Sequence, residues 1–287
     1  MILLPRSLGT LLIGAVVLTA VPSVRAAIVF AERFDYAAGD LQANSGGVWG
    51  LDGVPAAGTN YQVKPTGWGT GNGVQTDPRE GNIRSRHSVD LTAFTNSTVY
   101  FSVMVDALPV PAAIPYNGNG AEGLRFVAMG LWSANTERLY FGKASGTNPN
   151  WGFYNYTGGN AFSSTSSVGV EGPTQLVVRV DFSATGADSV RMYVLDAGNL
   201  PLTEPQTASV ERTGGELGAI DNIRFATGWS AAGAAQPTSW AMYDNIGVYT
   251  GWNDLAVINV PEPGSVLLLS AGFAGLLGRR RRAGSAP

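Results

Sequence analysis

Run after run of this chain alternates apolar with polar residues, and no long stretch of its body repeats apolar residues at helical spacing. In STVYFSVMVDAL, Val99, Phe101, Val103 and Val105 share one face. In TQLVVRVDFS, Leu176, Val178, Val180 and Phe182 do so, with Arg179 and Asp181 opposite; in SVRMYVLD the set is Val190, Met192 and Val194. Side chains of a strand point alternately to its two faces, so a period of two bounded by turn residues predicts half-buried antiparallel strands. Runs at 27–34, 124–132, 138–143, 151–156, 220–226 and 239–249 bring the expected strands to nine. Nine strands without intervening helices predict an all-β fold, an antiparallel β-sandwich of the jelly-roll kind, rather than an α/β architecture. The polar stretch 42–88 is poorly patterned and predicts loops with one or two short strands, a candidate rim for a ligand site. One internal similarity, IDNIRFATGW at 220–229 against YDNIGVYTGW at 243–252, is too isolated for a solenoid or propeller. It reads as two strands with similar entry turns.

The ends differ from the body. Arg6, an apolar run over 8–21 and the small residues of Val24-Arg25-Ala26 form a secretory signal pattern, so residues 1–26 are expected to be a cleaved signal peptide. The sandwich is then expected over 27–255, followed by a linker and a second processing segment over 256–287. Between residues 27 and 260 lie twenty acidic and twelve basic residues, because six of the arginines sit in the terminal segments. Such an acidic body without a basic stripe argues against nucleic acid, whose phosphates need clustered Lys and Arg. There are no cysteines, which excludes disulfides, thiolate metal sites and a Cys nucleophile and leaves stability to core packing.

Signals for catalysis are weak. His87, the single histidine, lies in RSRHSVDL without a G-x-S-x-G elbow, and reads as a solvated loop residue rather than a triad member. Glycoside hydrolysis needs two carboxylates across a cleft. Glu216 and Asp221 are five apart and have opposite parity on a regular strand. No catalytic residue is assigned. Glu32 shares parity with Ile28, Phe30 and Phe34, and Asp244 with Trp240, Met242, Ile246 and Val248. A carboxylate facing a core is costly unless it is paired or binds a cation, so Glu32 and Asp244 are candidate ligands of a structural Ca²⁺. The competing expectation is that a bulge turns either acid outward, or that Arg33 or Arg224 pairs with it. Among the aromatics, Trp49, Trp68, Trp151 and Tyr154 stand beside Gly, Asn or Thr and are candidate stacking platforms for sugar rings, against the commoner fate of core burial.

From ERFDYAAGDL through VYFSVMVDAL, ERLYFGKASG, WGFYNY and VVRVDFSATGADSVRMYV to MYDNIGVYTGW, the body resembles laminin G-like, concanavalin A-like sandwich domains of exported bacterial proteins. The resemblance implies the fold and no catalytic signature; the closely spaced E-x-D-x-x-E acids of glucanases on that fold do not occur. The tail, VPEPGSVLLLSAGFAGLLGRRRRAGSAP, joins Pro261-Glu262-Pro263 to thirteen mostly apolar residues at 266–278 and then to Arg279, Arg280, Arg281 and Arg282. Thirteen residues reach about 20 Å as a helix, short of a hydrocarbon core of about 30 Å. The arginines retain their end on the cytoplasmic side, so the pattern predicts a transient inner-membrane insertion with the body outside. In its order the tail resembles the PEP-CTERM sorting signal. That resemblance implies recognition through Pro261, Glu262 and Pro263, a stop at the four arginines, removal by an exosortase-type enzyme, and a Gram-negative surface or exopolysaccharide matrix. The expected function is a non-catalytic exported sandwich that binds an extracellular glycan, the alternatives being a glycosidase or lyase on the same fold and a structural matrix protein.

Overall fold

The computed structural model describes residues 27–52, 61–65, 71–75, 83–108, 127–143, 150–154, 163–170, 172–227 and 240–258. The expected signal peptide, Trp68, Trp229 and the sorting segment lie outside them. The first strands are β1 (Ile28–Glu32), β2 (Gly39–Asp40), β3 (Gly50–Asp52), β4 (Gln62–Pro65), β5 (Asn72–Gln75) and β6 (Ile83–Ser88), with one helical turn, α1 (Leu41–Asn44), after β2. Next come β7 (Thr98–Leu108), β8 (Val127–Ser133), β9 (Thr136–Lys143), β10 (Asn150–Tyr154) and β11 (Ser163–Gly169). The last are β12 (Thr174–Asp181), β13 (Asp188–Asp196), β14 (Val210–Gly215), β15 (Asn222–Thr227) and β16 (Trp240–Tyr249), before a 3-10 turn at Trp252–Asp254 and α2 (Leu255–Ile258).

These strands build two antiparallel sheets. The larger runs β14-β13-β12-β7-β16-β5-β4-β2, with β1 also on β16; the smaller runs β11-β10-β9-β8-β15-β6-β3. Most central neighbours are distant in sequence, the jelly-roll signature of a chain that crosses repeatedly between two sheets. The alternating residues of β7, β12 and β13 enter one core as their period predicts, and meet Val127, Met129, Leu131, Phe141, Phe153, Ile223 and Phe225 from the smaller sheet.

Strand β16 breaks simple alternation. Ala241 and Tyr243 face the core, and so do Ile246 and Val248. Between these pairs the register to β7 shifts from Asp244 to Gly247, and Asn245 takes φ of 47°. An extra residue at a β-bulge inverts parity beyond it, and Asn tolerates the left-handed region better than most residues. Asp244 therefore lies on the face away from the core, across from Met104, and the sequence-based parity linking it to Ile246 and Val248 is corrected. The two D-N-I segments fall in different sheets, each sending its Ile (223 or 246) into the core.

Among the described residues the stretch 42–88 holds four strands, β3 to β6, more than its pattern predicts. Strands β11 and β14 were also absent from the expected nine; both are sheet edges, where few side chains need be apolar. The outer face of the larger sheet carries a second apolar cluster, Tyr100, Val177, Tyr193 and Tyr249 with Trp252 and Leu255 from the segment after β16.

Candidate ligand-binding face

The outer face of the smaller sheet follows from its alternation. Ile223 and Phe225 of β15 point into the core, so Asn222 and Arg224 point out. In β8 the outward set is Ala128, Gly130 and Trp132, since Val127, Met129 and Leu131 point in. Trp132, Tyr140 and Tyr154, with Ala128, form a small buried cluster separate from the main core. Trp132 meets Tyr140 edge to face with centroids 5.9 Å apart, and Tyr140 lies 5.4 Å from Tyr154. Gly130 makes this row possible: a Cβ there would stand 2.5 Å from the Tyr140 ring and 2.7 Å from Trp132 Nε1.

Arg224 closes one end of the row. Its guanidinium sits 3.9 Å from the Trp132 ring centroid, a cation–π stack in a desolvated place, for the residue is only 1% exposed. Its Nε donates to Asn222 Oδ1 at 2.7 Å and its Nη2 to the Ala134 carbonyl at 2.6 Å. Beside it, at the β8–β9 turn, opens a cavity of about 480 Å³ lined by Arg86, Ser88, Ala134, Asn135, Asp221 and Asn222. Both carboxylate oxygens of Asp221 accept from the Ala134 N–H, at 2.9 and 2.8 Å, and one accepts from Asn222 Nδ2. Arg86 stands directly opposite Arg224 across the β6–β15 ladder. Its stem runs over Gly50, where a Cβ would come within 3.7 Å of Arg86 Cγ. Its guanidinium is exposed and has no hydrogen-bond or ion-pair partner among the described residues. The arrangement offers amide groups, a hydroxyl and one unengaged positive fork on an open polar floor.

The residues singled out in the sequence fall elsewhere. Trp49 and Trp151 are fully buried members of the main core, so neither presents a ring to a sugar. Turn-like neighbours in sequence marked where the chain bends, not where the ring points. Tyr154 is also buried, though on the outer side of the smaller sheet; Trp68 lies outside the described residues. Glu32 does face inward, and its carboxylate is engaged by donors: the Phe34 N–H at 2.6 Å, the Tyr36 hydroxyl at 2.7 Å and Trp49 Nε1 at 3.0 Å. A carboxylate meeting three donors does not fit a cation site, and Asp244 lies on the opposite face of the sheet. No group of three or more His, Asp or Glu suited to a metal occurs among the described residues. His87 belongs to β6 rather than a loop; its Nδ1 donates to the Ser88 carbonyl at 2.7 Å and its ring packs on Phe30 and Trp49. Burial holds its pKa below the ordinary histidine value, although the Ser88 carbonyl and Glu32 pull the other way. Glu216 lines a different cavity, of about 450 Å³, floored by Leu91, Phe94 and Phe182, so it and Asp221 do not share a cleft. The signal that sequence reading missed was the alternation within RSRHS, which sets Arg86 and Ser88 on one face with His87 opposite.

Fold and face together define an antiparallel jelly-roll sandwich with an open polar cavity on the outside of its smaller sheet. Residues 259–282 match the PEP-CTERM protein-sorting motif: this is an exported protein sorted at the cell envelope through an exosortase-type system. No curated protein matches the chain by sequence. Among solved structures, it is similar over 78% of its length to 99% of the marine PL-14 alginate lyase from Aplysia kurodai, with TM-score 0.48 and 9% identity. It is similar over 80% to 98% of domain 4 of AbnA, a GH43 extracellular arabinanase from Geobacillus stearothermophilus in complex with arabinotriose, with TM-score 0.47 and 14% identity. The carbohydrate esterase vb_24B_21 from Shiga toxin-encoding bacteriophage phi24B gives TM-score 0.46 and 9% identity over 79% of this chain and 99% of its own. Among the described residues no helix is long and apolar enough to cross a membrane; the apolar segment 266–278 lies outside them.

Proposed function

We propose that this is a non-catalytic saccharide-binding sandwich, carried by its sorting motif to the surface or exopolysaccharide matrix of a Gram-negative bacterium. The observation that carries the reading is the cavity at Arg86, Ser88, Asn135, Asp221 and Asn222. Its amides, hydroxyl and charged groups are the kinds that bond sugar hydroxyls, and they stand on strands and a tight turn rather than on a long loop. The cavity supports binding over hydrolysis, because its described lining holds one carboxylate where glycoside hydrolysis needs two, and that carboxylate already meets Ala134 and Asn222.

A polysaccharide microarray probed with the full-length chain, alongside assays for new reducing ends and for unsaturated sugar products, tests this. We expect retention on a subset of polysaccharides without product, and loss of retention in S88W, which fills the cavity. Product release would replace binding with the enzyme alternative. Absence of retention on every polysaccharide would leave the structural matrix role.

A further inference from the structure

The cross-strand pair Arg86–Arg224 carries a more specific consequence. Like charges directly opposite on an antiparallel ladder destabilise the sheet, so two arginines in register on one face need a reason. Arg224 has one on the page: it is stacked on Trp132 and bonded to Asn222 and Ala134, which fixes its charge in a buried position behind the cavity. Arg86 has none. Its fork lines the cavity without a partner among the described residues, and the one carboxylate among the described lining residues, Asp221, is turned to the Ala134 N–H and Asn222. The cavity is thus a local positive place on an acidic body, with neutral amides of Asn135 and Asn222 around it.

We propose that the cavity is selective for acidic saccharides, binding the carboxylate of a sugar acid through the Arg86 guanidinium while Asn135, Asn222 and Ser88 take neighbouring hydroxyls. This rests on the saccharide-binding reading and deepens it. A guanidinium fork matches a carboxylate with two parallel hydrogen bonds, which a lysine ammonium cannot reproduce. The buried Arg224 contributes its field from behind, and the bound anion relieves the repulsion between the two arginines. Neutral sugars lack the group that makes the arginine pair useful.

The test uses the full-length chain and titration calorimetry with tetrasaccharides of galacturonate, glucuronate, mannuronate and guluronate, each beside its carboxyl-reduced neutral counterpart. We expect at least one acidic member to bind ten or more times tighter than its reduced form, with affinity falling as salt rises. R86A and R86Q remove that preference and R86K keeps only part of it. None of the three lowers the melting temperature, because Arg86 is exposed and has no hydrogen-bond or ion-pair partner among the described residues, and R86A and R86Q also remove its repulsion from Arg224. Equal binding of acidic and reduced forms, or a preference unchanged in R86A, overturns the acidic selectivity while the saccharide reading stands. Failure of every acidic and neutral member to bind overturns the acidic selectivity, and the saccharide reading falls with it where the microarray also shows no retention.

Discussion

At the scale of single residues, burial separates what a residue type suggests from what it does. Trp49 stands in GVWG, a turn-like setting that predicts exposure, yet its ring is enclosed with Phe34 and Phe225 and its Nε1 is bonded to Glu32. Glu32 in turn accepts from the Phe34 N–H, holding a residue whose φ of 54° is unfavourable for an aromatic side chain. Replacing Glu32 with Ala strands three donors, two of them buried, and we expect a loss of about 2–4 kcal/mol in urea unfolding followed by tryptophan fluorescence. E32Q recovers part of this, since its carbonyl oxygen still accepts. A chelator leaves the Tm of the wild-type chain unchanged, because the carboxylate serves N–H and O–H groups. A chelator-induced fall in Tm would restore the calcium expectation for this acid. That Glu32 faces the core was legible from parity with Phe30 and Phe34. Which partner it meets there was not, because Trp49 lies 17 residues away on another segment.

At the scale of elements, the strands with an apolar stripe were legible and the others were not. β7, β12 and β13 are central or flanked on both sides, so every second residue must be apolar to bury. β11 and β14 are edges, and β3 to β6 are short; their pairing depends on backbone hydrogen bonds to neighbours, which leave no pattern in side-chain polarity. The Arg86 face belongs to this part: the parity of RSRHS sets Arg86 and Ser88 on one side, but no apolar stripe marks the segment as a strand. The bulge in β16 defeated parity reading for a further reason, since one extra residue inverts everything beyond it. The connection between β13 and β14 shows how polar contacts can hold an element without an apolar stripe. Glu204 accepts from the Tyr100 hydroxyl at 2.8 Å, from the Tyr193 hydroxyl, and from Arg179 Nη1 at 3.0 Å, strapping this connection over the outer face of the larger sheet. Burial alone would raise the Glu204 pKa, but the bonds from Tyr193, Tyr100 and Arg179 together outweigh it and hold it below the ordinary value. A carboxylate whose pKa is depressed on folding stabilises above its unfolded pKa of about 4.3, and that contribution disappears as pH falls through the lower folded value. E204Q should therefore show a smaller fall in stability below pH ~4 than wild type, and at neutral pH E204A should be cut by thermolysin, which cleaves before residues such as Leu202 and Ala208, faster within residues 197–209 than wild type. Equal cleavage of the two proteins would count against the strap.

At the scale of the whole molecule, the body and its sorting motif are nearly contiguous. Trp252 and Leu255 are buried against Tyr100, Tyr193 and Tyr249, and Trp252 Nε1 donates to the Pro201 carbonyl at 2.9 Å, so the chain is fixed to the larger sheet until shortly before Ile258. Pro261 follows three residues later, at most about 10 Å further even when fully extended. Processing at a motif that holds Pro261, Glu262 and Pro263 would therefore take place against the surface of a folded sandwich. The apolar segment 266–278 begins only a few residues beyond that point, so insertion of that segment would hold the body close to the membrane. The double substitution P261A/P263A should leave the unfolding midpoint unchanged and block removal of the tail. In mass spectrometry of envelope and secreted fractions from the native host, peptides spanning Arg279 to Arg282 should persist in that variant and vanish from the mature wild type. Lengthening the connection by ten Gly/Ser residues between Ile258 and Pro261 should speed removal, if access beside the Trp252 clasp limits it. Tail peptides in mature wild-type protein would make the segment an anchor that the cell keeps, with the sandwich held permanently at the membrane surface.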